Sequence, residues 1–231
     1  MTRPDPHARE HVLGRIRKSL GVGEDDAKRR FDVMRRLASP PGHTVPARAK
    51  LDRPGLVAAF RERLSAQGAT FADAAGPADI PGLVARYLRD TNLPARIRMG
   101  ADERLAGLDW SSEPNLERAG GRAEGSDLAG LSHALMGIAE TGTLALVSGS
   151  DNPTTINFVP DTHIVVLREA DIAGGYEAVW ARLRADYGDR SMPRTLNWVS
   201  GPSRTADIEG VLIMGAHGPR RLHVIVVKDG G

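Results

Sequence analysis

The residues of this chain best suited to chemistry lie in three short segments rich in glycine and hydroxyls. In Ala139-Glu140-Thr141-Gly142-Thr143 a single acid stands in an otherwise small, uncharged turn. Gly142 allows close backbone approach, and two threonine hydroxyls flank it. Two readings of Glu140 are open: the partner of an arginine across a tight connection, or the base, nucleophile or ligand anchor of an active-site loop. Pro160-Asp161-Thr162-His163 sets an acid and an imidazole two residues apart. On extended backbone they share a face, so that Asp161 orients His163 or shares a proton with it; the alternative is an Asp-Thr turn beside a core histidine. The third segment is Gly201-Pro202-Ser203-Arg204-Thr205-Ala206-Asp207-Ile208-Glu209, followed by Gly215-Ala216-His217-Gly218-Pro219. It presents backbone N–H groups and hydroxyls able to cradle a phosphate or carboxylate.

From these residues a small-anion site can be assembled. Thr141, Gly142, Thr143, Gly201 and Ser203 serve as hydroxyl and backbone donors, with Asp161, Thr205 and Glu209 in the same ligand-binding set. Glu140 and Asp207 position or polarise the ligand, and His163 and His217 move protons. All of this requires the Glu140 turn and the stretch 201–219 to form opposite walls of one crevice. His163, His217 and His223 with Asp161, Asp207 and Glu209 offer nitrogen and oxygen donors, but their spacings match no metal motif, and no metal is expected. Walker A, strand–GxGxxG–helix, HExxH and GxSxG signatures are absent.

Composition narrows the chemistry further. The 231 residues contain no cysteine, which excludes disulfides, a catalytic thiol and a cysteine-ligated iron–sulfur cluster in this chain. With 27 Arg and only four Lys, none of them in the three segments, lysine Schiff-base chemistry is a poor fit. Residues 1–50 carry 12 Lys+Arg against 6 Asp+Glu, a net of +6, whereas 51–231 carry 19 against 23, a net of −4. A basic arm on a slightly acidic body suits an anionic ligand or an acidic partner. Aromatics are 4% and do not interleave with arginine, so nucleic acid is not an expected partner. No apolar run approaches the roughly 20 residues that span a bilayer, and no signal-peptide core is visible, so the cytoplasm is the expected location.

The elements that must position these residues read as follows. Residues 7–20 form a helix with Val12, Leu13, Ile16 and Leu20 on one stripe and Gly21 as its stop. Phe31, Met34 and Leu37 mark a second short helix, and 38–50 a linker. The body, 52–231, starts at Asp52 as N-cap with Pro54 in the first helical turn. Strands are expected at 69–72, 95–99, 144–147, 164–167, 195–199 and 222–227, and helices at 80–89, 128–139 and 173–187; residues 116–125 have no evident placement. Short apolar runs alternating with amphipathic helices imply an α/β fold, an open, mostly parallel sheet covered by helices on both faces.

The three segments, together with Arg220-Arg221-Leu222-His223 and the basic opening helix ending Ser19-Leu20-Gly21, resemble the LUD domain of the lactate-utilization protein C family, most densely over 131–228. The resemblance implies a fold of the NagB/RpiA/CoA-transferase class and a place in the oxidation of L-lactate to pyruvate. It also implies partner subunits that carry iron–sulfur clusters, with no cofactor bound by this chain itself. The family supplies no settled catalytic residues to carry over. Glu140-Thr141-Gly142 is similar in form to the acyl-accepting glutamate of CoA transferases. That likeness keeps open a second reading, a stand-alone enzyme on a small carboxylate, CoA thioester or sugar phosphate.

Overall fold

The structure is a computed structural model that describes residues 7–23, 26–39, 44–188, 191–208 and 211–228, with the side chains of 206–208 and 211–213 excepted. The chain divides into two compact units, Met1–Thr44 and Val45–Gly231. In the first, α1 (Ala8–Leu20) ends at Gly21, whose φ of 62° closes a left-handed C-cap. Helix α2 (Ala27–Ala38) starts at Asp26, which accepts the Arg29 N–H at 3.0 Å. Neither helix has a buried residue, and Val12, Ile16, Phe31, Met34 and Leu37 are all exposed. The second unit takes in the end of the expected linker: residues 47–49 form a 3-10 turn whose Ala49 is buried, its carbonyl lying where a Cβ on Gly174 would sit.

The body opens with α3 (Arg53–Ala66), capped by Asp52, which accepts the Gly55 N–H at 3.0 Å. It is followed by β1 (Thr70–Ala74), α4 (Ile80–Asp90), β2 (Arg96–Met99), α5 (Glu103–Ala106), β3 (Glu117–Gly120), β4 (Ala129–His133), β5 (Met136–Ile138) and β6 (Thr143–Val147). Then come α6 (Thr154–Phe158), β7 (Thr162–Arg168), β8 (Ile172–Ala173), α7 (Tyr176–Tyr187), β9 (Leu196–Val199), β10 (Arg204–Ile208), β11 (Val211–Met214) and β12 (Arg221–Val227). Six strands form one parallel sheet in the order β1-β12-β7-β4-β2-β3. The period of two along its central strands splits the core. Ile164, Val166, Ile225 and Val227 pack with Val84 and Leu88 of α4 on one face. Val165, Leu167, Val224 and Val226 pack with Phe60 and Leu64 of α3 and with Leu144 and Leu146 on the other. The second face is also covered by a four-stranded sheet, β8-β5-β6-β9, and β10 and β11 form a separate antiparallel hairpin.

The helix expected over 128–139 is two strands, β4 and β5. Every residue of β4 is buried, so the spacing of Leu131, Leu135 and Ile138 records burial on both faces rather than a helical stripe. A Cβ on Gly130 would come within 2.8 Å of the Ile156 carbonyl, and one on Gly137 within 2.9 Å of the Leu167 side chain. These glycines let α6 and the main sheet close onto the strands. The Glu140 turn therefore joins two antiparallel strands, β5 and β6, instead of a helix and a strand. Residues 117–120, unplaced from sequence, add the edge strand β3. Helix α7 begins at Tyr176 because Ile172 and Ala173 are held as a strand against β5.

Candidate functional site

A cleft of about 230 Å³ opens at the amino ends of β7 and β12 and is lined by the chain leaving β9. Its walls include Asn157, His163, Ser200, Gly201, Ser203 and His217, and among the described residues no carboxylate lines it. His163 forms part of the floor. In register it lies between Leu222 of β12 and Gly130 of β4. Because Gly130 has no side chain, the imidazole reaches the next inward residue of β4, and its Nε2 sits 2.6 Å from Ser132 Oγ. Its Nδ1 is buried without a hydrogen-bond partner. Asn157, 1% exposed on α6, has both its Oδ1 and its Nδ2 unpartnered. Leaving a buried polar atom unmatched costs about 1–3 kcal/mol, and such groups in a native fold call for an explanation.

The electrostatics of the floor follow from burial. His163 is fully buried, which pushes its pKa down to about 3, so the ring is neutral at pH 7. One tautomer donates from Nε2–H to Ser132 and leaves Nδ1 as an acceptor; the other accepts the Ser132 hydroxyl proton and leaves Nδ1–H as a donor. Either way one hydrogen-bonding function of His163 is unmet, and the Asn157 amide of the same cleft lining offers both a donor and an acceptor. This arrangement suits a small ligand that carries an anionic acceptor and a hydroxyl or carbonyl group.

The residues singled out in the sequence are dispersed relative to this cleft. Gly201, Ser203, His163 and His217 line it. Ser203 and His217 are joined by the hairpin of β10 and β11: the His217 N–H donates to Ser203 Oγ at 3.2 Å, and His217 Nδ1 lies 3.0 Å from Thr205 Oγ1. Glu140 is not among the lining residues. Its Oε1 accepts from Arg48 Nη2 at 2.8 Å, the arginine pairing that was one of its two readings. Gly142, at φ 65°, packs on α3, where a Cβ would come within 2.6 Å of the Leu64 nitrogen, so its close approach serves packing. The turn reaches the cleft only through hydroxyls. Thr141 and Thr143 Oγ1 are 2.7 Å apart, both contact Tyr176 Oη, and Thr143 Oγ1 meets Ser200 Oγ at 2.7 Å. Asp161 does not orient His163: its Oδ1 lies 3.7 Å from Arg220 Nε, while the imidazole meets Ser132. The side chain of Asp207 and all of Glu209 lie outside the described residues.

Asn157 and Ser132 are the residues that sequence reasoning passed over. The available signal for Asn157 was a lone amide between Ile156 and Phe158 just before the Pro160 motif. For Ser132, the helical reading of 128–139 hid the fact that it alternates onto the same face as Gly130. No group of three or more His, Asp or Glu is placed to hold a metal among the described residues. No helix among them is long and apolar enough to cross a membrane.

An open parallel sheet whose loops line a small cleft defines the class, and comparison with known proteins defines the family. Residues 57–227 match the family model described as the LUD domain, and the chain belongs to that family. It is 37% identical over 199 residues to "Lactate utilization protein C" of Deinococcus radiodurans, covering 82% of this chain and 86% of the relative. It is 36% identical over 115 residues to the protein of the same name from Halalkalibacterium halodurans, about half of each chain. A crystal structure of a DUF162 family protein from Deinococcus radiodurans superposes with a TM-score of 0.55 at 26% identity, covering 77% of this chain and 99% of that one.

Proposed function

We propose that this chain is a cluster-free subunit of an iron–sulfur system that oxidises L-lactate to pyruvate, and that the cleft at the amino ends of β7 and β12 is its anion-binding pocket. The observation that carries the pocket is that two buried residues of its lining, Asn157 and His163, hold side-chain polar atoms without a hydrogen-bond partner. A 2-hydroxy or 2-oxo acid supplies what they lack. Its carboxylate accepts from Asn157 Nδ2 and from the hydroxyls of Ser200 and Ser203, and its 2-oxygen function faces His163 Nδ1. The volume supports a small acid, being below the roughly 300–1,000 Å³ of pockets for larger ligands. Support for the setting comes from the names of the relatives and from the absence of cysteine, which leaves the clusters to partner subunits.

Calorimetric titration of L-lactate and pyruvate tests the pocket. Asn157→Leu keeps the volume and removes the amide. It is expected to weaken binding by about tenfold or more, the worth of a hydrogen bond to a charged group. The same variant is expected to raise thermal stability slightly, because an unmatched buried amide is gone. Unchanged affinity in a folded Asn157→Leu protein would remove the pocket from the account.

The docking element in this reading is the basic unit Met1–Thr44, whose exposed Phe31, Met34 and Leu37 sit among Arg and Lys on α2. The double variant Phe31→Ser with Leu37→Ser changes only exposed side chains. It is expected to reduce capture of the cluster-bearing subunits by about tenfold or more, as loss of apolar anchors does at interfaces. Capture at the parental level by this variant would overturn docking through the arm.

A further inference from the structure

On the other side of α6 lies a second, wider cleft of about 520 Å³, which shares no lining residue with the first. Asn157 and Phe158 face the first cleft, Thr154 and Thr155 the second. Two arginines, Arg122 and Arg194, line it, and no acid does among the described residues. Neither guanidinium has an ion pair or hydrogen bond with any described residue. Most of the other arginines in the body of the chain are engaged: Arg48 with Glu140, Arg61 with Asp73, Arg98 with Asp127, Arg104 with Asp102, Arg204 with the Gln67 carbonyl.

The three segments that carry this cleft are tied to one another. The Ala123 N–H donates to Thr155 Oγ1 at 2.9 Å, fixing the chain next to Arg122 onto α6. Ser148 N–H donates to the Thr195 carbonyl, and Thr195 N–H to Ser148 Oγ, both at 2.9 Å, fixing the chain next to Arg194 onto the loop after β6. Asn152 Nδ2 closes that loop on the Val147 carbonyl. Two arginine-bearing backbones are thus held in place around one concavity, with the hydroxyls of Ser150 and Thr154 on its wall. A guanidinium fork matches phosphate oxygens with two parallel N–H donors, and a held backbone lowers the cost of ordering on binding.

From this geometry we infer a second ligand site that takes a small molecule bearing a diphosphate, with Arg122 and Arg194 each engaging a phosphoryl group. The site is independent of the carboxylate pocket and stands or falls apart from it.

Inorganic pyrophosphate and ADP, each titrated calorimetrically into the full chain, are the probes. Both are expected to bind. Arg122→Gln and Arg194→Gln should each weaken binding by about tenfold or more, and the double variant should lose it. Both side chains are exposed, so the variants should melt with the parent, and a melting curve checks this. Asn157→Leu should bind both probes as the parent does. ADP binding more tightly than pyrophosphate would assign the remaining volume to a nucleoside; equal binding would assign the site to the diphosphate group alone. The inference is overturned if neither probe binds up to about 10 mM, or if the double variant binds as well as the parent. It is also overturned if a short oligonucleotide binds more tightly than either probe with a steep salt dependence, because the phosphate class would then be a polymer backbone.

Discussion

Lowering the pH from 7 to 5 is expected to cost this chain about 5 kcal/mol of folding stability, about a third or more of a typical domain's margin. The effect comes from three buried histidines held neutral. Burial pushes His163 down to about 3 and His223 down to about 4. His133 is pushed down to about 4 by burial and by the Arg104 guanidinium, against the opposing pull of Asp102. All three folded values lie below the ordinary imidazole value of about 6.5. The unfolded chain therefore takes up protons first as the pH falls. The stability contributed by neutral imidazoles is fully present above about 6.5 and is lost as the pH drops toward 4 and then 3. Urea unfolding at pH 7, 6 and 5 measures it. His223 stacks on Tyr87 with ring centroids 4.0 Å apart and meets Thr70 Oγ1 at 2.8 Å. His223→Gln should therefore lower stability at pH 7 and flatten the pH slope by roughly a third. A free energy of unfolding that is level between pH 7 and 5 would show that these rings are not held neutral.

Removing the carboxylate of Asp127 should destabilise the fold by about 3–5 kcal/mol, the cost of stranding one partner of a buried ion pair. Asp127 and Arg98 are 2% and 12% exposed at their side chains, and Arg98 Nε donates to Asp127 Oδ2 at 2.8 Å. The same oxygen accepts the Glu124 N–H at 2.8 Å, and Arg98 Nη1 donates to the Gly120 carbonyl at 2.9 Å. One carboxylate thereby ties the loop 121–127 to strands β2 and β3. Burial by itself would raise its pKa, but the bonds from Arg98 and the Glu124 N–H outweigh that and hold it below the usual carboxylate range. This contribution, too, is present above the free carboxylate value and is lost as the pH falls through the folded one. Guanidinium unfolding of Asp127→Ala measures the loss, and the double variant Asp127→Leu with Arg98→Met should recover much of it, because no charge is then stranded. A loss under about 1 kcal/mol in the single variant would mean that solvent reaches Arg98 freely.

The parallel sheet was legible because its central strands are buried on both faces and read as continuous apolar runs, 164–167 and 224–227. The start of α3 was legible because Asp52 and Pro54 act locally, and Asp52 caps as expected. The same burial on both faces made 128–139 illegible: without a polar face, strand and helix leave the same apolar pattern, and the two glycines that decide the matter do so through contacts with Ile156 and Leu167. In the cleft, His163, Gly201, Ser203 and His217 were visible because glycine and hydroxyl clusters mark loops. Asn157 was not, since it comes to the cleft only because Gly130 lets α6 lie on β4. The pairing of Glu140 with Arg48 spans 92 residues of sequence, and no local pattern encodes it.

These placements move the centre of the account. The Glu140 turn and the 201–219 stretch do not face each other across one opening; they are linked through Thr143 and Ser200. Among the described residues that line the cleft, the groups with unmet bonding capacity are instead a neutral imidazole and a carboxamide, the pair to which the proposed function assigns recognition of a small acid.

The central claim is that Asn157 and His163 contact that acid, and side-chain nitrogen chemical shifts report it most directly. In a titration of the ¹⁵N-labelled chain with L-lactate, the Asn157 Nδ2 and His163 Nδ1 resonances should move together and saturate with one dissociation constant, while the resonances of Arg122 and Arg194 stay in place. Asn157 and His163 signals that remain fixed while calorimetry records binding would put the acid elsewhere and contradict the account.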